Sequence, residues 1–141
     1  MTPVGAVRGL PYNRRMLGGF LAVGAGAALG AWMRWALATW LNPRVPHFPL
    51  GTLAANLIGG YLVGFAVAYF AVRHDLAPQM RLFTITGFLG GLTTFSTFSS
   101  EVIDLLTRGE YATGGSLAFV HLAGSLLLTL AGIATFRALT A

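Results

Sequence analysis

The chain has 141 residues, of which 55% are hydrophobic and only 9% are charged, and this excludes an ordinary soluble domain. Its net charge of +5 comes from arginines that flank apolar runs, a placement typical of membrane proteins that argues against nucleic-acid binding. The sequence contains no cysteine, which excludes disulfides and thiolate metal sites.

Four apolar stretches are each near the roughly 20 residues that a helix needs to cross a bilayer. They occupy residues 17–41, 50–72, 82–106 and 114–136, after a polar N-terminal tail at residues 1–16. The connectors are short and rich in turn-forming residues, so no further domain fits between the spans. The sequence therefore predicts an all-α membrane protein, with four transmembrane helices in a single domain over residues 1–141.

The first stretch follows Arg14 and Arg15, as the apolar segment of a signal peptide follows its charged region. It is too long for a typical segment of that kind, and Arg34 lies just before the candidate cleavage site at residues 36–38. We therefore expect a retained first span. The arginines near span ends place both termini in the cytoplasm, although a translation start at Met16 would remove most of this bias.

Small or polar residues recur on one face of each predicted span. In chain order the faces carry Gly18, Ala22, Gly26, Gly30 and Arg34; Thr52, Asn56, Gly60 and Gly64; Gly87 and Gly91; and His121, Ser125 and Thr129. For the glycines alone, close helix packing is the favoured interpretation. Polar groups on all four spans suggest a lined pathway, and four short helices enclose so little volume that we expect an oligomer.

The third span contains the string GFLGGLTTFSTFSSE at residues 87–101. We expect the Gly90-Gly91 pair to break the helix and expose carbonyl oxygens that can bind a cation. Phe95 and Phe98 share a helix face, and their weakly positive ring edges suit an anion, with simple packing as the alternative. The hydroxyls and the Asn56 amide can donate hydrogen bonds to a small hydrated anion, but they also accept them, so cations are not excluded.

Together with GTLAANLIGGYLVG (51–64) and GAGAALGAWMRW (24–35), this string resembles the Fluc/CrcB fluoride channels across all four spans. The resemblance implies an antiparallel, dual-topology dimer in the cell inner membrane that exports fluoride passively from the cytoplasm. It also implies two fluoride paths at the subunit interface. A homodimer is expected, and a heteromeric partner of opposite orientation is the alternative if the arginine bias of the long form is real.

The resemblance implies a role for a defined set of residues. The fluoride path is assigned to Phe95, Phe98, Asn56, Thr52, Ser125, Thr129 and His121. The last of these departs from the family, because His121 stands where a tyrosine is expected at the start of a polar track.

Four further assignments follow from the same resemblance. The backbone carbonyls of Gly90 and Thr93 would hold a structural sodium ion at the dimer centre, Arg34 would lie near an aqueous vestibule, and Glu101 matches a family glutamate whose role is left open.

The main alternative function is a small dual-topology transporter that exchanges protons for cationic drugs. Such a transporter places a carboxylate in its first span, whereas this chain has Arg34 there and its deep carboxylate, Glu101, in the third. A non-transporting assembly factor would not need polar faces on every span. The sequence shows no nucleophile with its base and no carboxylate pair, so we expect no enzymatic activity.

Overall fold

The computed structural model describes residues 12–45 and 48–141, and those residues form helices joined by short turns. In chain order they are α1 (Tyr12–Leu41), a 3₁₀ turn (Asn42–Arg44), α2 (Leu50–Val72), α3 (Pro78–Arg81), a π-helical segment (Leu82–Leu89), α4 (Gly90–Leu92), α5 (Phe95–Thr107) and α6 (Tyr111–Thr140). Most of the predicted polar tail lies outside the described residues, and α1 begins within the last part of it.

Three helical stretches among the described residues are long and apolar enough to cross a membrane. They are Asn13–Arg44, which combines α1 with the 3₁₀ turn, Leu50–Val72 (α2) and Tyr111–Thr140 (α6). The predicted third span, residues 82–106, instead consists of consecutive shorter segments. The all-α, multi-pass membrane class is therefore confirmed, while the third span is not one regular helix. π-Helical turns are rare and often occur at functional sites, which directs attention to this span.

Glycines bring α1 and the third span into backbone contact. A Cβ atom on Gly30 would overlap the carbonyl oxygen of Phe88, and one on Gly91 would overlap the carbonyl oxygen of Ala27. Within lipid no hydrophobic effect drives helices together. Their association therefore depends on close packing of this kind. The glycine faces of these two spans therefore act in packing.

The helices α2 and α6 lie side by side and run in the same direction. A Cβ atom on Gly64 would overlap the carbonyl oxygen of Thr129. Further along both helices, the Phe136 ring lies edge-on to Phe65, with 5.4 Å between ring centroids. The pairing brings the polar face of α2 against the polar face of α6.

The outer surface of the described helices is apolar. Large hydrophobic side chains are exposed along α1 and α6, among them Phe20, Trp32, Phe119, Leu126 and Leu130. A surface of this kind is unfavourable in water and suits contact with lipid or with another membrane subunit.

The turn after α2 is closed by an ion pair. Arg73 donates to both carboxylate oxygens of Asp75, at 2.8 Å from Nε and 2.8 Å from Nη2. The hydrogen bond from Arg73 lowers the pKa of Asp75 to about 2. Both side chains are exposed, so the pair orders the turn and contributes little to global stability.

Candidate functional site

The third span leaves helical geometry at two threonines. Thr93 has φ −80° and ψ 153°, and Thr94 has φ −150° and ψ 121°, both in the extended region. Gly90 is helical, with φ −64° and ψ −36°, and α4 continues through Gly91 to Leu92. The prediction that the glycine pair itself forms the break was therefore wrong. Gly91 serves the close approach to Ala27, and the chain unwinds two residues later.

Asn56 on α2 supplies hydrogen bonds to this extended segment. Its Nδ2 donates to the carbonyl oxygen of Thr94 at 2.9 Å, and the Thr94 N–H donates to its Oδ1 at 2.7 Å. An unpaired backbone group in lipid costs several kcal/mol, so non-helical backbone at this depth requires such partners. We call this reciprocal pair of hydrogen bonds the Asn56–Thr94 clamp.

Thr94 also starts α5. Its Oγ1 accepts a hydrogen bond from the Thr97 N–H at 3.2 Å, as an N-cap residue does. The sequence prediction did not assign Thr94 to the site. A hydroxyl residue just before a new helical segment is the signal that could have identified it.

Two carbonyl oxygens at the interruption lack their regular helical donors. In an α-helix, Gly90 would accept from the Thr94 N–H and Thr93 from the Thr97 N–H. Here the first amide donates to Asn56 and the second to the Thr94 hydroxyl. Carbonyl oxygens freed in this way are suitable ligands for a hard cation such as sodium.

A groove of about 390 Å³ lies beside the interruption, and most of its lining is apolar. The polar residues in that lining are Asn56, Thr93, Thr94, Ser125 and Thr129. The Thr129 hydroxyl bonds to the carbonyl oxygens of Gly60 at 3.0 Å and of Ser125 at 2.8 Å. The structure thus brings together predicted residues of the second, third and fourth spans.

Phe95, Phe98 and His121 form a continuous aromatic row next to this groove. The Phe95 and Phe98 centroids are 5.5 Å apart at 67°, and Phe98 stacks on His121 at 4.6 Å and 26°. His121 is 3% exposed, whereas Phe95 is 78% exposed. A second cavity of about 150 Å³ is lined by these three rings, Asn56 and Ser125. The predicted register of the fourth span therefore places His121 and Ser125 at the same site.

Thr52 and Glu101 are joined one helical turn away from Asn56. The buried Thr52 hydroxyl donates to Glu101 Oε1 at 2.6 Å. Glu101 Oε2 is also buried and has no hydrogen-bond partner within the described residues. The hydroxyl that was predicted to line the path is thus directed to the carboxylate.

Arg34 contacts the backbone of the third span. Its Nε donates to the carbonyl oxygen of Gly91 at 3.1 Å. Because the last carbonyls of a helix lack internal donors, this bond stabilises the end of α4. The sequence prediction missed this contact with Gly91, and a position near a vestibule stays a prediction.

This fold and site define a multi-pass membrane protein with an interrupted third span beside an open groove and an aromatic row. Residues 21–133 match the family described as CrcB-like protein, Camphor Resistance (CrcB). The chain belongs to this family, and the resemblance predicted from the sequence is confirmed.

Curated relatives match most of the chain. It is 63% identical over 110 residues to "Fluoride-specific ion channel FluC" of Thiobacillus denitrificans, covering 78% of this chain and 89% of that protein. The protein of the same name from Nitrosospira multiformis is 60% identical over 116 residues, which cover 82% and 91% of the two chains. That from Pseudomonas putida is 55% identical over 122 residues, covering 86% and 95%.

Proposed function

We propose that this chain is a fluoride-selective ion channel that lets fluoride leave the cytoplasm passively and so lowers its cytoplasmic concentration. The observation that carries the proposal is the Asn56–Thr94 clamp, which holds an interrupted membrane span open beside Phe95 and Phe98. Relatives that are 55–63% identical bear the name fluoride-specific ion channel. Membership of a channel family also fits the expectation that the chain is not an enzyme.

The lining offers hydrogen bonds and ring edges without a fixed positive charge. The Ser125 hydroxyl can replace part of the water shell of fluoride, and the edges of Phe95 and Phe98 are weakly positive. The Asn56 amide and the Thr129 hydroxyl already donate within the protein, so on this path they would donate to fluoride only after releasing those partners. A channel must bind its ion well enough to admit it and weakly enough to release it. Thr52, one helical turn before Asn56 on α2, and His121, which faces the Asn56 amide, complete the proposed path.

The groove requires a cover within the bilayer. Phe95 is 78% exposed, and the open groove beside it has polar residues, among them Asn56 and Ser125, in a mostly apolar lining. Polar surface in contact with lipid is costly, so we propose that a second copy in antiparallel orientation covers this flank and completes the path. The alternative is a heteromeric partner of opposite orientation, and purification from the native source would distinguish the two.

The freed carbonyls of Gly90 and Thr93 are the proposed ligands of a structural sodium ion at the dimer centre. Among the described residues no group of three or more His, Asp or Glu side chains could hold a metal. The assignment of the ion to these two backbone oxygens is what the family resemblance implies. Two oxygens from each subunit would give four ligands to one ion. When bound, sodium supplies a fixed positive charge near the anion path.

We place the channel in the cell inner membrane, with Arg34 near an aqueous vestibule. The guanidinium would raise the local anion concentration electrostatically, in addition to its bond to Gly91.

The test is ion efflux from liposomes that contain the purified chain, followed with fluoride-selective and chloride-selective electrodes. Fluoride efflux without chloride efflux supports the channel. Proton-coupled uptake of an organic cation without fluoride efflux would instead establish the transporter alternative.

A further inference from the structure

Asn56 makes a third hydrogen bond, to a titratable ring on α6. Its Nδ2 lies 3.1 Å from Nδ1 of His121. The orientation of the Asn56 amide is fixed by the clamp, because a backbone N–H can only donate and a backbone carbonyl can only accept. The atom that faces His121 is therefore the amide nitrogen, which is a donor.

A donor at this position determines the tautomer of His121. The ring nitrogen Nδ1 must accept, so the neutral imidazole carries its proton on Nε2. His121 is 3% exposed and its ring stacks on Phe98, so it has little freedom to turn away. Nε2 is buried and has no hydrogen-bond partner in the part of the chain that the structure describes.

The titratable groups on the elements around this ring are few. On α2 they are Tyr61 and Tyr69, and on α5 they are Glu101 and Asp104. Glu101 is three residues from Phe98, and its Oε1 accepts from Thr52. On α6 itself the cation is Arg137, four turns from His121, and Asp104 pairs with Arg108. Glu101 is thus the carboxylate whose titration must be separated from that of His121.

We propose that His121 is a positioning residue that holds the Asn56–Thr94 clamp closed through its unprotonated Nδ1, so that protonation of the ring loosens the clamp and lowers fluoride passage. The proposal rests on the fluoride-channel function proposed above. Protonated Nδ1 would present a donor to the donor Nδ2 at 3.1 Å. Asn56 would then have to rotate away, which breaks at least one of its bonds to Thr94 and releases the segment before Phe95.

Two substitutions distinguish the effect of the hydrogen-bond acceptor at position 121 from the effect of the aromatic ring. His121→Asn places a carbonyl oxygen near the position of Nδ1 and keeps an acceptor for Asn56. His121→Phe keeps a ring over Phe98 but removes both nitrogens. We expect fluoride efflux to fall about tenfold or more in His121→Phe, the scale seen when a partner that orients a functional ligand is lost. The loss should be smaller in His121→Asn than in His121→Phe, because the acceptor for Asn56 is kept.

The pH profile distinguishes positioning from a merely structural role. As the pH is lowered from about 8 through the range in which His121 becomes protonated, efflux of the original protein should fall reversibly. In His121→Asn this fall should disappear, and any fall that persists there belongs to Glu101. An unchanged profile in His121→Asn would overturn the proposal, as would full efflux in His121→Phe.

A measurement without ion flux keeps the inference separate from the proposed function. Nitrogen-15 NMR of protein labelled at histidine reports the tautomer, and the signal absent from His121→Phe identifies His121. The expected state at neutral pH is neutral, with the proton on Nε2. A proton on Nδ1 would overturn the inference even if fluoride flows, whereas the expected tautomer without any fluoride efflux would contradict only the channel function.

Discussion

Asn56 and Thr94 lie on different spans and bond to each other twice, with Nδ2 to the Thr94 carbonyl oxygen at 2.9 Å and the Thr94 N–H to Oδ1 at 2.7 Å. A side-chain amide here replaces the two backbone partners that a regular helix would provide. The resemblance assigned Asn56 to the ion path alone. The structure adds a second role, because the same side chain maintains the interruption on which the groove depends.

Asn56→Asp should abolish most fluoride efflux while the chain still assembles. A carboxylate can accept from the Thr94 N–H but cannot donate to the Thr94 carbonyl or to His121, and a charge at the bilayer centre costs about 2.5–3.5 kcal/mol. We expect efflux to fall at least about tenfold, with an unchanged elution volume in size-exclusion chromatography. Ile58→Leu, at an exposed position of the same helix, is the control. Normal efflux in Asn56→Asp would refute this role.

Thr94→Ala should destabilise the start of α5, and Thr94→Ser should not. Alanine removes the oxygen that accepts from the Thr97 N–H, and loss of such an N-cap costs about 1 kcal/mol. Serine retains the acceptor. Thermal unfolding in detergent, followed by circular dichroism, should show a lower midpoint for the alanine variant only. Equal midpoints for both variants would show that the cap contributes nothing.

Gly64→Ala should weaken the packing of α2 against α6. The added Cβ would overlap the Thr129 carbonyl oxygen, so the helices must separate, and overpacking of this kind typically costs about 1–3 kcal/mol. Gly115→Ala is a matched control, since no atom lies within 4 Å of the added carbon. The midpoints of thermal unfolding of the two variants are compared, and that of Gly64→Ala should be the lower. A stable Gly64→Ala protein would mean that the two helices are not in contact as described.

Replacing sodium with a large organic cation on both sides of the membrane should lower fluoride efflux. If the Gly90 and Thr93 carbonyls hold sodium, its removal leaves oxygen dipoles without a counter-charge beside the anion path. Efflux should recover when sodium is restored, and potassium should restore it less well. Efflux that is independent of the cation after prolonged dialysis would argue against a sodium site.

The sequence predicted the long helices well, because apolar length and glycine spacing are local properties. It predicted the membrane class, the approximate bounds of α2 and the packing role of Gly30 and Gly64. It did not predict the π-helical segment or the short α4. Those depend on how the third span fits against α1, which is a tertiary property.

The sequence assigned residues to a fluoride path, which stays a prediction, and it did not predict the bonds between them. The resemblance assigned Asn56 and Phe98 to that path, and also His121 although it departs from the family's tyrosine; the structure brings these three residues into contact.

The glycine pair was expected to form the break, but the extended residues are Thr93 and Thr94. Asn56, which is 38 positions from Thr94, supplies the hydrogen bonds to Thr94. The bond from Arg34 to Gly91 spans 57 positions and has no local signal. Contacts over such separations cannot be derived from one sequence.

The most direct test of the fluoride-channel function compares two exposed phenylalanines in the same liposome assay. Phe95 is 78% exposed beside the groove, and Phe119 on α6 is 71% exposed. The fluoride-channel function predicts fluoride efflux without chloride efflux from the original protein and from Phe119→Ile. In Phe95→Ile the rate of fluoride efflux should fall about tenfold or more. Absence of fluoride efflux from the original protein would contradict the function, and equal efflux from both variants would contradict the assignment of Phe95 to the path.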